Sequence, residues 1–297
     1  MSYDIIAVDI LQPEIELRVR TLLKNAYGHD SLLPKGYLYK YLYSKKVSKE
    51  SFFLVAVEQG EFIGCSGFMS TDFMYNTSLY SCYQGCWAAT DPKHQGRKIF
   101  FNIFKKAIEL LKEQEAGFIY EVAGDNTHPI FVKKLGFVEV PAIMIKIPNI
   151  PYLNRFWFNK KFSPDTQYYK RSVFLPVESQ IVELKQNIDP ENTHIIQVNK
   201  SFLWGRVLKK RKAGITVKYF YVGGVDIHEI SDYHLLIKKV LKEHSVAYIQ
   251  IVSSATNRYN ELLKGWKPAG INPFVFFNLS PVPVKDINLM YGAIDVF

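Results

Sequence analysis

Four consecutive residues, Gln95, Gly96, Arg97 and Lys98, put two cations, an amide and a glycine directly ahead of a segment with helical periodicity. A strand that turns straight into a helix leaves the first helical N–H groups without intrahelical partners, all pointing at one place above the helix end. That place suits an anion such as a pyrophosphate, because Gly96 lets the backbone approach closely while Gln95, Arg97 and Lys98 supply donors and charge. A solvated basic turn capping an ordinary helix is the plainer account of the same residues. On strands, the first candidate is Glu121 in F-I-Y-E-V-A (118–123). It shares a face with Ile119 and Ala123, so its carboxylate is expected in or beside an apolar surface, where burial raises its pKa toward that of a general base. A structural acid paired with a lysine or a backbone amide is the alternative. Tyr83 and Tyr120 are strand-borne hydroxyls able to donate a proton, although in a chain of 19 tyrosines packing is the commoner role. His94 and His128 adjoin loops, where histidines are usually just solvated.

These side chains need a frame, and hydrophobic periodicity supplies one. Alternation predicts a strand over residues 4–10, and Gln12-Pro13 opens a helix to about Tyr27. A short aromatic helix follows over 37–43, then three strands at 52–57, 61–70 and 79–90 that form an antiparallel meander. A helix from about Lys98 to Gln114, a strand at 118–123, a short helix near 128–135 and a strand at 137–147 complete this half. The order mixes antiparallel and parallel pairing, so the fold class is α/β with a mixed, mostly antiparallel twisted sheet flanked by helices.

Three prolines between Pro148 and Tyr169 and the lack of a sustained period put a linker at 149–170, between domains 1–148 and 171–297. The second half repeats part of the first. L-K-E-Q-E-A-G-F-I-Y-E-V-A-G-D-N-T-H-P-I-F-V-K-K-L-G-F, from Leu111, aligns with L-K-E-H-S-V-A-Y-I-Q-I-V-S-S-A-T-N-R-Y-N-E-L-L-K-G-W, from Leu241. Helix end, strand, helix, Gly-aromatic and strand recur in that order, the mark of a duplicated unit.

With P-K-H-Q-G-R-K-I-F between a strand and an amphipathic helix, and K-K-L-G-F ending the next one, residues 52–140 resemble the GNAT superfamily of acyl-CoA-dependent N-acyltransferases. The resemblance implies that the loop amides of Gln95, Gly96, Arg97, Lys98, Ile99 and Phe100 hold the CoA pyrophosphate. It also implies that the preceding strand, at Ala88 and Thr90, bonds the pantetheine arm through its backbone, and that Asn126 lies near the cofactor. Lys98 and Phe100 stand where the family usually has glycine, and Val132 stands where it often has a tyrosine that protonates the leaving thiolate. For acyl transfer to an amine, the catalytic candidates are Glu121, Tyr83 and Tyr120. Cys82 and Cys86, on one strand face, would permit an acyl-cysteine route, although buried structural cysteines are commoner.

Composition narrows the field. Of a net charge of +9, residues 151–297 hold 20 Lys and Arg against 12 Asp and Glu, so the basic surplus lies in the second half. Arg206–Lys212, R-V-L-K-K-R-K, reads as a solvated helix face or as a patch that draws in a phosphate-bearing acceptor. R-F-W-F-N-K-K-F (155–162) could stack on a sugar or rest on a membrane surface, with domain-bridging packing the simpler account, and Gly223-Gly224 reads as a tight turn between strands more readily than as a phosphate loop. Three cysteines without C-x-x-C or histidine at zinc spacing indicate reduced thiols and no metal site, and the N-terminus lacks the pattern of a signal peptide, so a cytoplasmic protein is expected. Taken with the resemblance, this implies an acetyl-CoA-dependent N-acyltransferase with a decayed second GNAT-like repeat that walls the acceptor cleft. The acceptor expected is a small amine such as an amino sugar, in surface-polysaccharide biosynthesis. A Fem-like aminoacyl-tRNA-dependent transferase and a non-catalytic GNAT-like binding protein are the alternatives.

Overall fold

The computed structural model describes residues 2–28, 33–43, 46–150, 174–212, 214–263, 266–281, 283, 287–290 and 292. By Cα proximity the chain divides into two units: Met1–Phe73, Leu79–Glu139 and Val275–Val284 form the first, and Met74–Ser78, Val140–Phe274 and Lys285–Phe297 the second.

In the first unit, β1 (Asp4–Val8), β2 (Phe52–Glu58), β3 (Glu61–Tyr75), β4 (Ser78–Thr90) and β5 (Phe118–Val122) are neighbours in that order. β1 pairs antiparallel with β2 across the helical segment between them, and β2 with β3 across a short turn. The β4–β5 pair is parallel, which requires a crossover, and α3 (Ile99–Glu113) provides it. Pro13 and two first-turn acids start α1 (Pro13–Tyr27), which buries Val19, Leu22 and Leu23, and α2 (Tyr37–Tyr43) follows. α3 buries Ile99, Ile103, Phe104, Ala107, Ile108 and Leu111, one stripe at helical spacing. Each of the larger side chains contributes about 1.5–3 kcal/mol by leaving water, so this one face anchors the crossover.

In the second unit, β8 (Thr193–Val198), β9 (Ser201–Lys212) and β10 (Ile215–Asp226) form an antiparallel meander. α5 (Ile230–Glu243) then crosses to β11 (Tyr248–Ser254), parallel to β10. β7 (Phe174–Pro176) and α4 (Glu178–Ile188) precede the meander. The duplicated order is present: α3, β5, a π-helical turn (Ile130–Lys134) and β6 (Val138–Pro148) correspond to α5, β11, a 3-10 turn (Arg258–Leu263) and β12 (Ala269–Asn278). Each unit has its own core, around Phe104, Phe131 and Phe137 in the first and Phe220, Tyr233 and Leu236 in the second. No described helix is long and apolar enough to cross a membrane.

Several sequence expectations change. The units divide at Glu139/Val140, inside β6, because Ala142–Pro148 pair antiparallel with Tyr248–Ser254. β12 also crosses between the units at Phe274/Val275. Of the expected linker only 149–150 is described, and 155–162 lies outside the described residues. The run 206–212 is strand, since β9 pairs along its length with the β-branched and aromatic residues of β10; Lys209, Lys210 and Arg211 are exposed there. Gly223-Gly224 is no turn but part of β10, at a register shift between Val222 and Gly224.

Candidate active site

β4 and β5 pair at Tyr83–Ile119 and Gln84–Tyr120, and the register ends there while β4 runs on to Thr90. Within that extension Trp87 takes a left-handed conformation (φ 49°), a kink in the strand, and its ring meets Tyr37 edge-on at 6.3 Å. A strand that leaves its parallel neighbour exposes backbone groups for another partner. At Ala88 one is already engaged, because its carbonyl accepts the Tyr27 hydroxyl at 3.0 Å.

Beyond Thr90 the chain makes one 3-10 turn, Pro92–His94, capped by Asp91 Oδ1 accepting the Lys93 N–H at 2.8 Å. Gly96 (φ 80°) and Lys98 (φ 60°) are both left-handed, and Lys98 is the N-cap of α3. This explains the side chain where the family has glycine: the position demands a glycine-like backbone, and Lys98 adopts it at a cost of about 1–2 kcal/mol. Tyr3 pins the loop, donating to the Arg97 carbonyl at 3.3 Å and accepting from Asn102 Nδ2 at 2.6 Å.

The first intrahelical bond of α3 runs from the Asn102 N–H to the Lys98 carbonyl, so the amides of Ile99, Phe100 and Phe101 precede the ladder. Lys98 makes no side-chain cap, and the first turn holds no acidic residue. Over this end lies a cavity of about 540 Å³ lined by Thr90, Gln95, Gly96, Lys98, Ile99 and Phe100, six of the residues expected at the cofactor. His94, Phe101, Ile130 and Lys134 complete the lining. Lys134 adds a cation from the π-helical turn, and only its place in K-K-L-G-F hinted at it.

Three expected cofactor residues are placed differently. Arg97 turns to Glu58, which it binds through two nitrogens at 2.7 and 2.8 Å, and this pairing holds the Glu58 carboxyl below the usual carboxylate range. Ala88 and the exposed Asn126 are not among the lining residues.

Glu121 is half-buried on the α3 side of the sheet, its Oε2 accepting its own neighbour's N–H, that of Val122, at 3.2 Å. Gly85 makes room for it: a Cβ there would press on Glu121 Oε1 and on the Phe104 ring. The Phe104 ring lies 4.7 Å from that of Phe100, a lining residue, tilted at 40°, so one aromatic step joins Glu121's surroundings to the cavity. Tyr83 is fully buried, its hydroxyl 3.3 Å from Gln114 Oε1 at the far end of α3, and burial pushes it up to about 12. Tyr120 is buried against Thr71 Oγ1 at 3.3 Å, with burial again raising its pKa. Neither tyrosine is brought to the cavity. The thiols of Cys65, Cys82 and Cys86 are buried, and burial pushes Cys65 to about 12 and Cys82 well up, far from the thiolate a nucleophile needs. His94 faces Asp91 Oδ1 at 3.2 Å, and His128 faces Glu139 Oε2 at 2.6 Å.

The arrangement sets helix-end amides and cations around one cavity, with a half-buried carboxylate outside its lining. Residues 18–137 match the model of the acetyltransferase (GNAT) family. No curated protein matches the sequence. Among solved structures, the chain is similar to Eis1 from Mycobacterium abscessus, with 13% identity, a TM-score of 0.60, and coverage of 94% of this chain and 74% of that one. It is also similar to a GCN5-related N-acetyltransferase from Kribbella flavida, with 11% identity, a TM-score of 0.59 and coverage of 92% and 71%. Saccharomyces cerevisiae N-myristoyltransferase with bound myristoyl-CoA gives 9% identity, a TM-score of 0.52 and coverage of 93% and 83%. At these identities the likenesses speak for the fold, and they run through both units. The loop, the crossover it starts and the matched segment together mark residues 18–137 as a domain of the acetyltransferase (GNAT) family.

Proposed function

We propose that the first unit binds acetyl-CoA or a related acyl-CoA at the N-terminus of α3 and that the protein transfers the acyl group to the amine of a small acceptor. The observation that carries this is the cavity over α3: the amides of Ile99–Phe101 ahead of the helical ladder, cations at Lys98 and Lys134, and no acid in the first turn. Acyl-CoA supplies the thioester-activated acyl group. The loop amides and Lys98 hold its pyrophosphate, with Gln95 and Thr90 along the approach. Glu121 takes the proton that the acceptor ammonium must lose before its nitrogen can attack, a role suited to a half-buried carboxylate. The exposed Lys209, Lys210 and Arg211 of β9 give the second unit a positive surface for a phosphate-bearing acceptor. An amino sugar is the acceptor class the family resemblance favours.

The same cations favour one second reading, a transferase that takes its acyl group from aminoacyl-tRNA. That reading expects salt-sensitive RNA binding and little affinity for CoA. The deciding assay follows thiol release from acetyl-CoA with a panel of amino sugars. Glu121→Gln should lower turnover by about 100-fold, within the range of a general base, and leave acetyl-CoA affinity nearly intact. Turnover equal to the wild type would reduce Glu121 to a structural acid.

A further inference from the structure

A second cavity, of about 220 Å³, lies wholly within the second unit. Its floor is made possible by Gly223-Gly224. A Cβ on Gly224 would fall inside the Glu178 carboxylate and press on Trp204 Nε1, and one on Gly223 would overlap the Trp204 ring. The bulged glycines thus let Glu178 and Trp204 meet under β10, with Trp204 Nε1 donating to Glu178 Oε2 at 2.8 Å. Val225 and Met290 add apolar surface, and Asp226 stands exposed in the lining.

Two observations make this more than a packing defect. Among the described residues no Lys, Arg or His lines the cavity, although the chain carries a net charge of +9. Independently, Asn288, 2% exposed and part of the lining, has an unanswered donor. Its Oδ1 accepts the Arg258 N–H at 2.6 Å, which fixes the amide's orientation, and its buried Nδ2 has no partner among the described residues. Two carboxylates and an unfilled donor around a small, partly apolar space are complementary to a cation that carries an acceptor atom.

We infer that the second unit holds its own binding site for a small primary ammonium compound. The nitrogen sits between Glu178 and Asp226, and a hydroxyl or carbonyl oxygen a few bonds away accepts from Asn288 Nδ2. Burial raises the Glu178 carboxyl to about 8, with Asp226 adding to the effect and Trp204 opposing it. The neighbouring Tyr259 hydroxyl accepts from Arg258 Nη2 at 3.2 Å and is raised by burial. A cation arriving beside Glu178 therefore displaces its proton.

The test is calorimetry on the full chain at pH 7, without acyl-CoA, titrating ethanolamine, glycinamide and glucosamine, with ethylene glycol as the uncharged control. Because no acyl donor is present, the result is independent of any transferase activity. At least one amine should bind saturably with release of about one proton, read from the dependence of the heat on buffer ionisation. Glu178→Gln, which keeps an acceptor for Trp204, should weaken that binding at least tenfold, and Asp226→Asn, a surface change, should weaken it severalfold. Absence of saturable binding by all three amines would overturn the inference. So would binding that is unchanged in both variants, or equal binding of ethylene glycol.

Discussion

α3 and α5 each carry the chain from one strand to a parallel neighbour, β4 to β5 in the first unit and β10 to β11 in the second. Their N-termini are furnished differently. α3 begins at a left-handed lysine, with no acid in its first turn and a cavity above its amides. α5 begins at Glu229 in extended conformation, and its first turn holds Asp232, buried at 2% exposure. The Asp232 carboxylate accepts from Ser201 Oγ and Asn199 Nδ2, both at 2.8 Å, and Ser201 Oγ in turn accepts the His228 N–H. In the second unit a buried carboxylate stands in the first turn of the helix; in the first unit that turn holds no acid. A duplicated topology therefore does not duplicate the chemistry of its helix ends, because one acid in the first turn changes the charge that end presents.

The second unit's inward-facing carboxylates can be separated from the first unit's open loop by pH. Burial puts Glu178 near 8, against a usual value of 4.5. Between those values the folded protein keeps a proton that the unfolded chain has released, so stability falls as pH rises through this window. The loss should reach about 3–5 kcal/mol by pH 8 relative to pH 4.5 and be absent in Glu178→Gln. Parallel stability profiles from urea unfolding of the two proteins would show that Glu178 is solvated and that the contrast between the units is overstated.

Removing the carboxylate that seals α5 is the next largest change. Asp232→Ala leaves Ser201 and Asn199 without their charged acceptor and should cost about 3 kcal/mol, measured by denaturant midpoint. It should create no acyl-CoA affinity in the second unit, which lacks a counterpart of the Gln95–Lys98 loop. A cost below about 0.5 kcal/mol, as for an ordinary surface change, would mean Asp232 does not close the helix end.

Much of this was legible where the causes are local. The stripe Ile99, Ile103, Ala107, Leu111 announces α3 at helical spacing, and the strand before it and the cations beside it mark the loop. What stayed hidden depends on partners far along the chain. Arg97 looks like a phosphate ligand until Glu58, 39 residues earlier, takes both its nitrogens. The cations of β9 read as a helix face because their strand character comes from pairing with β10. Gly223-Gly224 reads as a turn because nothing nearby reveals that Trp204 and Glu178 need the space. Lys98 is a middle case: lysine rarely takes a left-handed backbone, so its glycine-like conformation could be inferred only from the family's pattern.

The availability of the α3 end is tested most directly by the affinity of acetyl-CoA for three proteins: the wild type, Lys98→Glu and Lys98→Gly, measured calorimetrically at low salt. Placing an acid at the N-cap should weaken binding by about 1–3 kcal/mol, since it sets the chain's own negative charge where the proposed pyrophosphate would sit, much as Asp232 adds one to the first turn of α5. Lys98→Gly relieves the left-handed strain and keeps the amides, so it should bind within about tenfold of the wild type. Equal affinity of all three proteins, or no acetyl-CoA binding by the wild type, would contradict the assignment of the α3 N-terminus as the cofactor site.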